Sequence, residues 1–144
     1  ANINQYTKSG SAPIKAAARG ENTIGVAFLH GVVKQAVSGF PVDGVAPCEG
    51  TGYEIGSMSI VDGARNLDEA KMFYDWALSA KAQSEAWKVK SFQVPSNVSA
   101  ESSPLAPDPA SINLIDYDFK LYGSSAERKR LLKKWDDEVS VLPQ

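Results

Sequence analysis

The stretch PCEGTGYEIGSMSIVDGA, residues 47–64, is the part of the sequence against which we interpret the rest of the chain. It opens with a polar, glycine-bearing loop that carries two carboxylates, Glu49 and Glu54, and it continues into an alternating run, residues 55–61. A loop of this kind that leads into a strand is a common way to aim side chains into a cleft. The pattern is equally typical of a plain tight turn before a strand.

Length and composition limit the classes of protein to which this chain can belong. The chain has 144 residues, which suits one domain with a single core, and its net charge of −2 offers no basic surface for nucleic acid. We expect no membrane span, because no apolar run reaches about 18 residues, and the first ten residues show no signal-peptide pattern. The single cysteine, Cys48, and the single histidine, His30, exclude an internal disulfide, a cysteine-based metal site and a two-histidine metal site.

A short helix is predicted over residues 12–19. Ser11 is a typical capping residue, Pro13 is tolerated in a first helical turn, and Gly20 is a typical stop. The N-terminus of this helix would present free backbone N–H groups beside Ser9 and Ser11, and such an end attracts anions, including phosphate. The alternative, which we favour from the residues alone, is that the serines only cap the helix.

The next segments continue an alternation of helix and strand. The apolar run over residues 23–29 predicts a strand buried on both faces. His30 and Gly31 follow its carboxyl end, where ligands bind in open α/β sheets; the alternative is an ordinary half-buried or surface histidine. A second helix over 32–38 and a strand or extended segment over 41–46 complete the alternation, which indicates an α/β fold.

The patterns after the loop are mainly helical. The predicted elements, in chain order, are a strand over 55–61, a helix from Asn66 through Leu78, a helix over about 81–88, an irregular arm over 91–111, a short strand within 112–119 and a final helix over about 125–139. Asn66 with Glu69, and Ser124 with Glu127, have capping-box spacing. Apolar residues recur at helical spacing in the first and the last of these helices, so we expect each to turn one face inward.

Motifs for catalysis are missing. The sequence contains no G-x-S-x-G nucleophile elbow and no G-x-x-x-x-G-K-[ST] phosphate loop. Glu49 and Glu54 could form a carboxylate pair, but their spacing does not fix the distance that such chemistry needs. We therefore expect no catalytic residue, no cofactor and no metal site. Polar groups near His30, in the loop 49–54 and at 9–11 instead suit hydrogen bonding to a small polar ligand.

Three stretches resemble bacterial ABC-importer solute-binding proteins of the ferric-iron, phosphonate and sugar-phosphate group. They are NINQYTKSGSAPIKAAARGENTIGVAF (2–28), PCEGTGYEIGSMSIVDGARNLDEAKMFYDWALS (47–79) and RKRLLKKWDDEV (128–139). The resemblance implies a periplasmic-binding-protein-like α/β lobe of type II, here as the C-terminal portion of a two-lobed protein of about twice this length. Residues of about 1–55 would belong to the second lobe, and about 56–144 would form a strand crossing back and the C-terminal helices.

The resemblance also implies a function. Such a protein captures a small polar, anionic solute, a sugar phosphate or a phosphonate, between two lobes in the periplasm and delivers it to an inner-membrane permease. His30 and Glu54 match the histidine and glutamate that hold sugar hydroxyls in hexose-phosphate binders, although Gly31 stands where those proteins carry Asp. The implied ligand-binding residues are His30, Glu49, Thr51, Tyr53, Glu54, Ser9 and Ser11.

Other possibilities follow from the same resemblance and residues. Ferric binders place adjacent tyrosines near residues 28–31, and none stands there, but a ferric-iron transport protein remains the first alternative. The missing N-terminal lobe is an expected partner, and this part alone would expose apolar surface and would dimerise or swap elements. The remaining alternatives are a small hydrolase or transferase in which Glu49 or Glu54 acts as general base together with His30, and a purely structural domain.

Overall fold

The structure, a computed structural model, describes residues 3–141. This part of the chain is mainly helical and irregular. Its helices are α1 (Ala12–Ala18), α2 (Leu29–Val37), α3 (Leu67–Leu78), α4 (Ala80–Glu85), α5 (Phe119–Tyr122) and α6 (Ser125–Lys134). Two 3₁₀ turns, Ala86–Val89 and Pro109–Ser111, and one π-helical turn, Trp135–Val139, complete the regular structure of these residues.

The predicted strands do not form within this chain. Between residues 3 and 141, the β pairing is limited to an isolated parallel bridge that joins Thr51 to Leu114. The strands predicted over 23–29, 55–61 and 112–119 are therefore wrong as paired strands, and residues 41–46 are irregular as well. A strand is stable only where a neighbouring strand takes up its N–H and C=O groups, and the described residues supply no such neighbour.

The first helix agrees with the prediction, and the second starts earlier than predicted. α1 confirms the predicted first helix, and after it Gly20 takes φ +74°, a left-handed conformation that costs glycine little. α2 starts at Leu29, three residues earlier than predicted, so the helix takes up the end of the apolar run. His30 and Gly31 therefore lie in the first turn of α2, and their predicted place after a strand end is wrong.

The two predicted capping boxes behave differently. Asn66 precedes α3 but makes no side-chain hydrogen bond to it, so the capping box predicted there is wrong. Ser124 caps α6, since its hydroxyl accepts a hydrogen bond from the backbone N–H of Glu127 at 3.2 Å. A serine hydroxyl at this position stabilises a helix start by satisfying one of the free N–H groups of the first turn.

The buried part of the described chain is small. Ile14 and Ala18 of α1 are its buried apolar residues together with Phe92, which follows the first 3₁₀ turn. The inward faces predicted for α3 and α6 are only partly covered, since Tyr74 is half-buried but Phe73 and Leu131 are exposed. α1, α2 and the segment around Phe92 therefore form the best-packed region, and the first group of candidate residues lies there.

None of the helices within residues 3–141 has the length and apolar character that crossing a membrane requires.

Candidate functional site

The first group of candidate residues lies where α1 and α2 begin. A Cβ atom placed on Gly10 would lie 3.5 Å from the ring of Phe28, so the turn 9–11 packs beside that ring. The Phe28 ring in turn stacks on the imidazole of His30, with ring centroids 5.5 Å apart and an interplanar angle of 19°. Packing therefore brings the serine turn and His30, which are separated by a helix in the sequence, to the same end of the α1–α2 pair.

Neither serine of the turn caps α1. The hydroxyl oxygens of Ser9 and Ser11 lie 3.4 Å apart and share a hydrogen bond, and no helix N–H donates to the Ser11 side chain. The interpretation that these serines only cap the helix is therefore wrong. Both residues are exposed, so the paired hydroxyls are open to a ligand.

A cavity of about 350 Å³ opens between α1, α2 and residues 89–93. Ser11 and His30 line it, and so do three lysines, Lys15, Lys34 and Lys90. Within residues 3–141, none of these lysines has a carboxylate oxygen within 4.0 Å of its ammonium group, because the ion pairs there involve other residues. The cavity therefore carries uncompensated positive charge, in a chain whose net charge is −2.

The residues predicted for the site do not include these lysines, although the sequence carries a signal for two of them. Lys15 follows Ser11 by four residues and Lys34 follows His30 by four residues. Residues four apart lie on the same face of a helix. Lys90 gives no comparable signal, since it comes from a distant segment and takes φ +62°, a left-handed conformation uncommon for residues other than glycine.

His30 forms part of the cavity wall. It is half-buried, and this burial lowers its pKa below the ordinary value of 6.5 because water stabilises the charged imidazolium less there. At neutral pH the ring is therefore uncharged, with one nitrogen that donates a hydrogen bond and one that accepts. Such a ring can pair with a hydroxyl group in either direction.

The second group of candidate residues lies in the turn 48–54, which a distant segment holds in place. The side-chain amide of Asn113 donates a hydrogen bond to the carbonyl of Cys48 at 2.9 Å. The N–H of Thr51 donates to the carbonyl of Asn113 at 2.9 Å, and the N–H of Ile115 donates to the carbonyl of Thr51 at 3.1 Å. Within the turn Gly50 takes φ +119°, which L side chains rarely adopt. The turn is thus fixed at three backbone points.

The carboxylates of this turn are exposed to solvent. Glu49 accepts a hydrogen bond from the Cys48 thiol at 3.4 Å, and its pKa is lowered first by its own backbone N–H and then by that thiol. The carboxylate of Glu54 makes no hydrogen bond and no ion pair with any described residue. Both groups are therefore available as hydrogen-bond acceptors.

The other two candidate residues of the turn, Thr51 and Tyr53, already contact groups of the protein. The ring of Tyr53 packs edge-on against those of Tyr117 and Phe119, with ring centroids 6.5 and 5.8 Å away. The hydroxyl of Thr51 donates a long hydrogen bond of 3.4 Å to the carbonyl of Gly52. Tyr53 therefore contributes a fixed aromatic surface to the turn.

The structure brings each group together but gives no contact between the two. Among residues 3–141, no hydrogen bond and no aromatic contact joins the first group (Ser9, Ser11, His30) to the second (residues 49–54). No group of three or more His, Cys, Asp or Glu side chains suited to a metal ion occurs in this part of the chain. A single site made of all seven residues stays a prediction.

Comparisons with known proteins show what this chain is similar to. No protein-family model matches the chain. The chain is 52% identical over 141 residues to an uncharacterized protein of Haemophilus influenzae, a match that covers 97% of this chain and 41% of that protein.

Two solved structures are similar over nearly the whole chain. The periplasmic binding protein AfuA from Actinobacillus pleuropneumoniae, solved with exogenous fructose-6-phosphate bound, shares 54% identity at a TM-score of 0.91, over 98% of this chain and 44% of AfuA. The periplasmic binding protein P5PA shares 40% identity at a TM-score of 0.86, over 96% of this chain and 44% of P5PA.

The chain is therefore similar, over nearly its whole length, to part of two periplasmic binding proteins. Its fold is that of an incomplete lobe of such a protein, as the resemblance implied, and it spans less than half the length of the relatives it matches. Both similar structures are named as binding proteins rather than as enzymes.

Proposed function

We propose that this chain is part of the solute-binding component of a bacterial ABC importer. The protein would work in the periplasm, close two lobes over a small polar, anionic solute and present it to a permease in the inner membrane. The observation that carries this proposal is the similarity to AfuA, a periplasmic binding protein with fructose-6-phosphate bound, over 98% of the chain. A sugar phosphate is therefore the solute class we favour, ahead of a phosphonate.

We assign the two groups of candidate residues to different parts of the solute. Glu54 and Glu49 offer free carboxylate oxygens that accept hydrogen bonds from sugar hydroxyls, and the uncharged ring of His30 pairs with a further hydroxyl. Thr51 and Tyr53 shape the turn that carries those carboxylates. The hydroxyls of Ser9 and Ser11 are available for the anionic end, and the positive charge of the neighbouring cavity favours an anion on this side.

The rest of the binding protein would supply the other side of the cleft. More than half of each relative lies outside the match, and we place the N-terminal lobe there. In this arrangement residues of about 1–55 belong to the second lobe, and about 56–144 return toward the first lobe and end in the C-terminal helices. A chain without that lobe would bind the solute weakly, because affinity in such a cleft comes from both sides.

Calorimetry on a complete binding protein that contains this chain tests the function. Fructose-6-phosphate is the first probe, with fructose, inorganic phosphate, a phosphonate and a ferric salt as comparisons. We expect Glu54→Gln to weaken binding of fructose-6-phosphate roughly 10- to 150-fold, because a hydrogen bond to a charged group contributes about 1.5–3 kcal/mol. His30→Ala should weaken it roughly 2- to 10-fold, because a hydrogen bond to a neutral ring contributes about 0.5–1.5 kcal/mol.

The matched control is Glu101→Gln, which removes an exposed carboxylate far from the turn in the sequence. It should leave the affinity unchanged within about twofold, since exposed substitutions usually change free energies by less than about 0.5 kcal/mol. Equal affinities for all three variants and the parent would remove His30 and Glu54 from the site. Binding of the ferric salt alone would replace the sugar phosphate by the iron alternative, and turnover of a probe would replace the binding role by the hydrolase.

A further inference from the structure

The cavity between α1, α2 and residues 89–93 carries charge of one sign. We call it the lysine cavity, after Lys15, Lys34 and Lys90, which line it. Within the described part of the chain, no aspartate or glutamate side chain lines this cavity, although the sequence contains more acidic than basic residues, 17 against 15. Three ammonium groups around one cavity repel one another, and a bound anion would replace this repulsion by attraction.

The backbone at Lys90 is held in a conformation that suits glycine better. Lys90 follows the 3₁₀ turn Ala86–Val89 and takes φ +62°, a left-handed conformation for which helix ends commonly use glycine. Its N–H donates to the carbonyl of Trp87 at 3.0 Å, which fixes this geometry. A side chain with a Cβ atom costs free energy here, and strained positions of this kind cluster at functional sites. Because the lysine is exposed, packing does not offset that cost.

The lysine cavity extends beyond the residues that we assign to the solute. Lys15 follows Ser11 by four residues, and Lys34 follows His30 by the same spacing. Four residues correspond to one helical turn, or about 6 Å along the helix axis. The third wall comes from residues 89–93, a segment that the proposed solute site does not use. The lysines therefore stand one turn away from the helix starts at which Ser11 and His30 lie.

The other residues of the lysine cavity give it a firm base and neutral donors. Ile14 and Phe92 line it and are both buried, with 5% and 4% of their surface exposed. Gln35 and Ser91 line it as well, and their side chains carry N–H and O–H groups that can donate hydrogen bonds. The volume of about 350 Å³ lies in the range of small-molecule sites. This combination suits a small anion.

We propose that the lysine cavity is a second binding site, which takes a compact inorganic anion of the phosphate and pyrophosphate class. Lysine ammonium groups bind phosphate as point charges, whereas arginine is the better match for planar carboxylates. No arginine lines the cavity in the part of the chain that the structure describes. An anion with more than one negative charge balances most of the charge of the three lysines. The anion and the solute occupy separate places, so the proposal holds whichever solute the protein carries.

Calorimetric titration with inorganic pyrophosphate tests the proposal on a complete binding protein that contains this chain. We expect Lys34→Gln to weaken pyrophosphate binding at least about fivefold, because a charge-assisted hydrogen bond to the anion is lost. The matched control is Lys129→Gln, since Lys129 is also an exposed helical lysine but does not line the cavity. This control should change the affinity by less than about twofold.

Lys90→Gly separates a binding role from a structural one. Glycine adopts φ +62° at little cost, so this variant should unfold at a temperature no lower than that of the parent protein. It should nevertheless weaken pyrophosphate binding at least about fivefold, because it removes one of the three ammonium groups. A lysine with a structural role alone would not lose binding while keeping stability.

Fructose-6-phosphate distinguishes a second site from the solute site. If the two sites are separate, adding the sugar phosphate should raise the apparent Kd of pyrophosphate only to a plateau, because coupling between two sites is finite. A sugar phosphate that fails to bind would refute the proposed function, and the pyrophosphate titration would still decide the present proposal.

Three outcomes would overturn the second site. The first is an absence of pyrophosphate binding at concentrations up to about 10 mM. The second is equal weakening by Lys34→Gln and Lys129→Gln, which would show that only the overall charge matters. The third is an apparent Kd that rises in proportion to the concentration of fructose-6-phosphate, which would show that the cavity belongs to the solute's own phosphate.

Discussion

Replacing Gly50 by alanine should loosen the turn that carries the candidate carboxylates. Gly50 takes φ +119°, and a backbone conformation of this kind costs a residue with a Cβ atom about 1–3 kcal/mol. The new Cβ would also lie 3.1 Å from a methyl group of Ile115. That contact adds less, because the methyl group belongs to a side chain that can shift by a few tenths of an ångström.

Exchange of two amides reports this effect locally. The N–H groups of Thr51 and Ile115 form the hydrogen bonds that join the turn to the segment 113–115. If the strain of 1–3 kcal/mol is released when the turn opens, both amides should exchange roughly 5- to 150-fold faster in Gly50→Ala. Nuclear magnetic resonance of the 144-residue chain measures this directly.

The control for this substitution is Gly56→Ala. A Cβ atom on Gly56 meets no atom within 4 Å, and the residue does not have a positive φ. Its substitution should leave the two amides unchanged within about twofold. Equal acceleration by both substitutions, or none by Gly50→Ala, would refute the argument that the backbone of Gly50 positions the turn.

Two further predictions concern capping and protonation. Ser124→Ala should destabilise α6 by about 1 kcal/mol, which would appear as faster hydrogen exchange of the amides in its first turn. Ser11→Ala should leave α1 unchanged, because Ser11 makes no side-chain cap. Equal effects of the two substitutions would contradict the different roles of the two hydroxyls. The resonance of His30, the single histidine, should titrate with a midpoint below 6.5. Because the pKa of His30 is lower in the folded chain, the unfolded chain binds the proton more tightly. The free energy of unfolding should therefore fall as pH drops through 6.5 toward the pKa of the folded state. A titration midpoint at or above 6.5, or the same pH dependence of stability in His30→Gln, would contradict this prediction.

The helices were predictable because their signals are local. α1 follows from Pro13 and Gly20, and α3 and α6 follow from apolar spacing; their starts differ from the prediction by no more than one residue. α2 is the exception, because a short apolar run such as residues 23–29 fits a buried strand and a helix start equally well. The capping box predicted at Asn66 does not form, because capping-box spacing permits a side-chain hydrogen bond but does not require it.

The strands and the anchoring of the candidate turn were not predictable in the same way. A strand needs a partner that is distant in the sequence, and for residues 24–28 and 54–60 the described chain contains none. The turn at 48–54 was anticipated from its glycines and carboxylates, but its anchor, Asn113, carries no sequence signal that connects it to Cys48. Of the cavity lysines, Lys15 and Lys34 were predictable from their spacing of four residues from Ser11 and His30, whereas Lys90 has no such local signal.

The anchor of the turn has a consequence for the order in which the chain folds. The hydrogen bond from Asn113 to Cys48 joins residues 65 positions apart, and closing a loop of that length costs roughly 4 kcal/mol of chain entropy. Contacts between distant residues form late, after helices such as α3 have nucleated within their own segments. During synthesis on the ribosome the turn therefore stays unanchored until residue 115 has emerged, and a chain stopped earlier carries Glu49 and Glu54 without the geometry that aligns them.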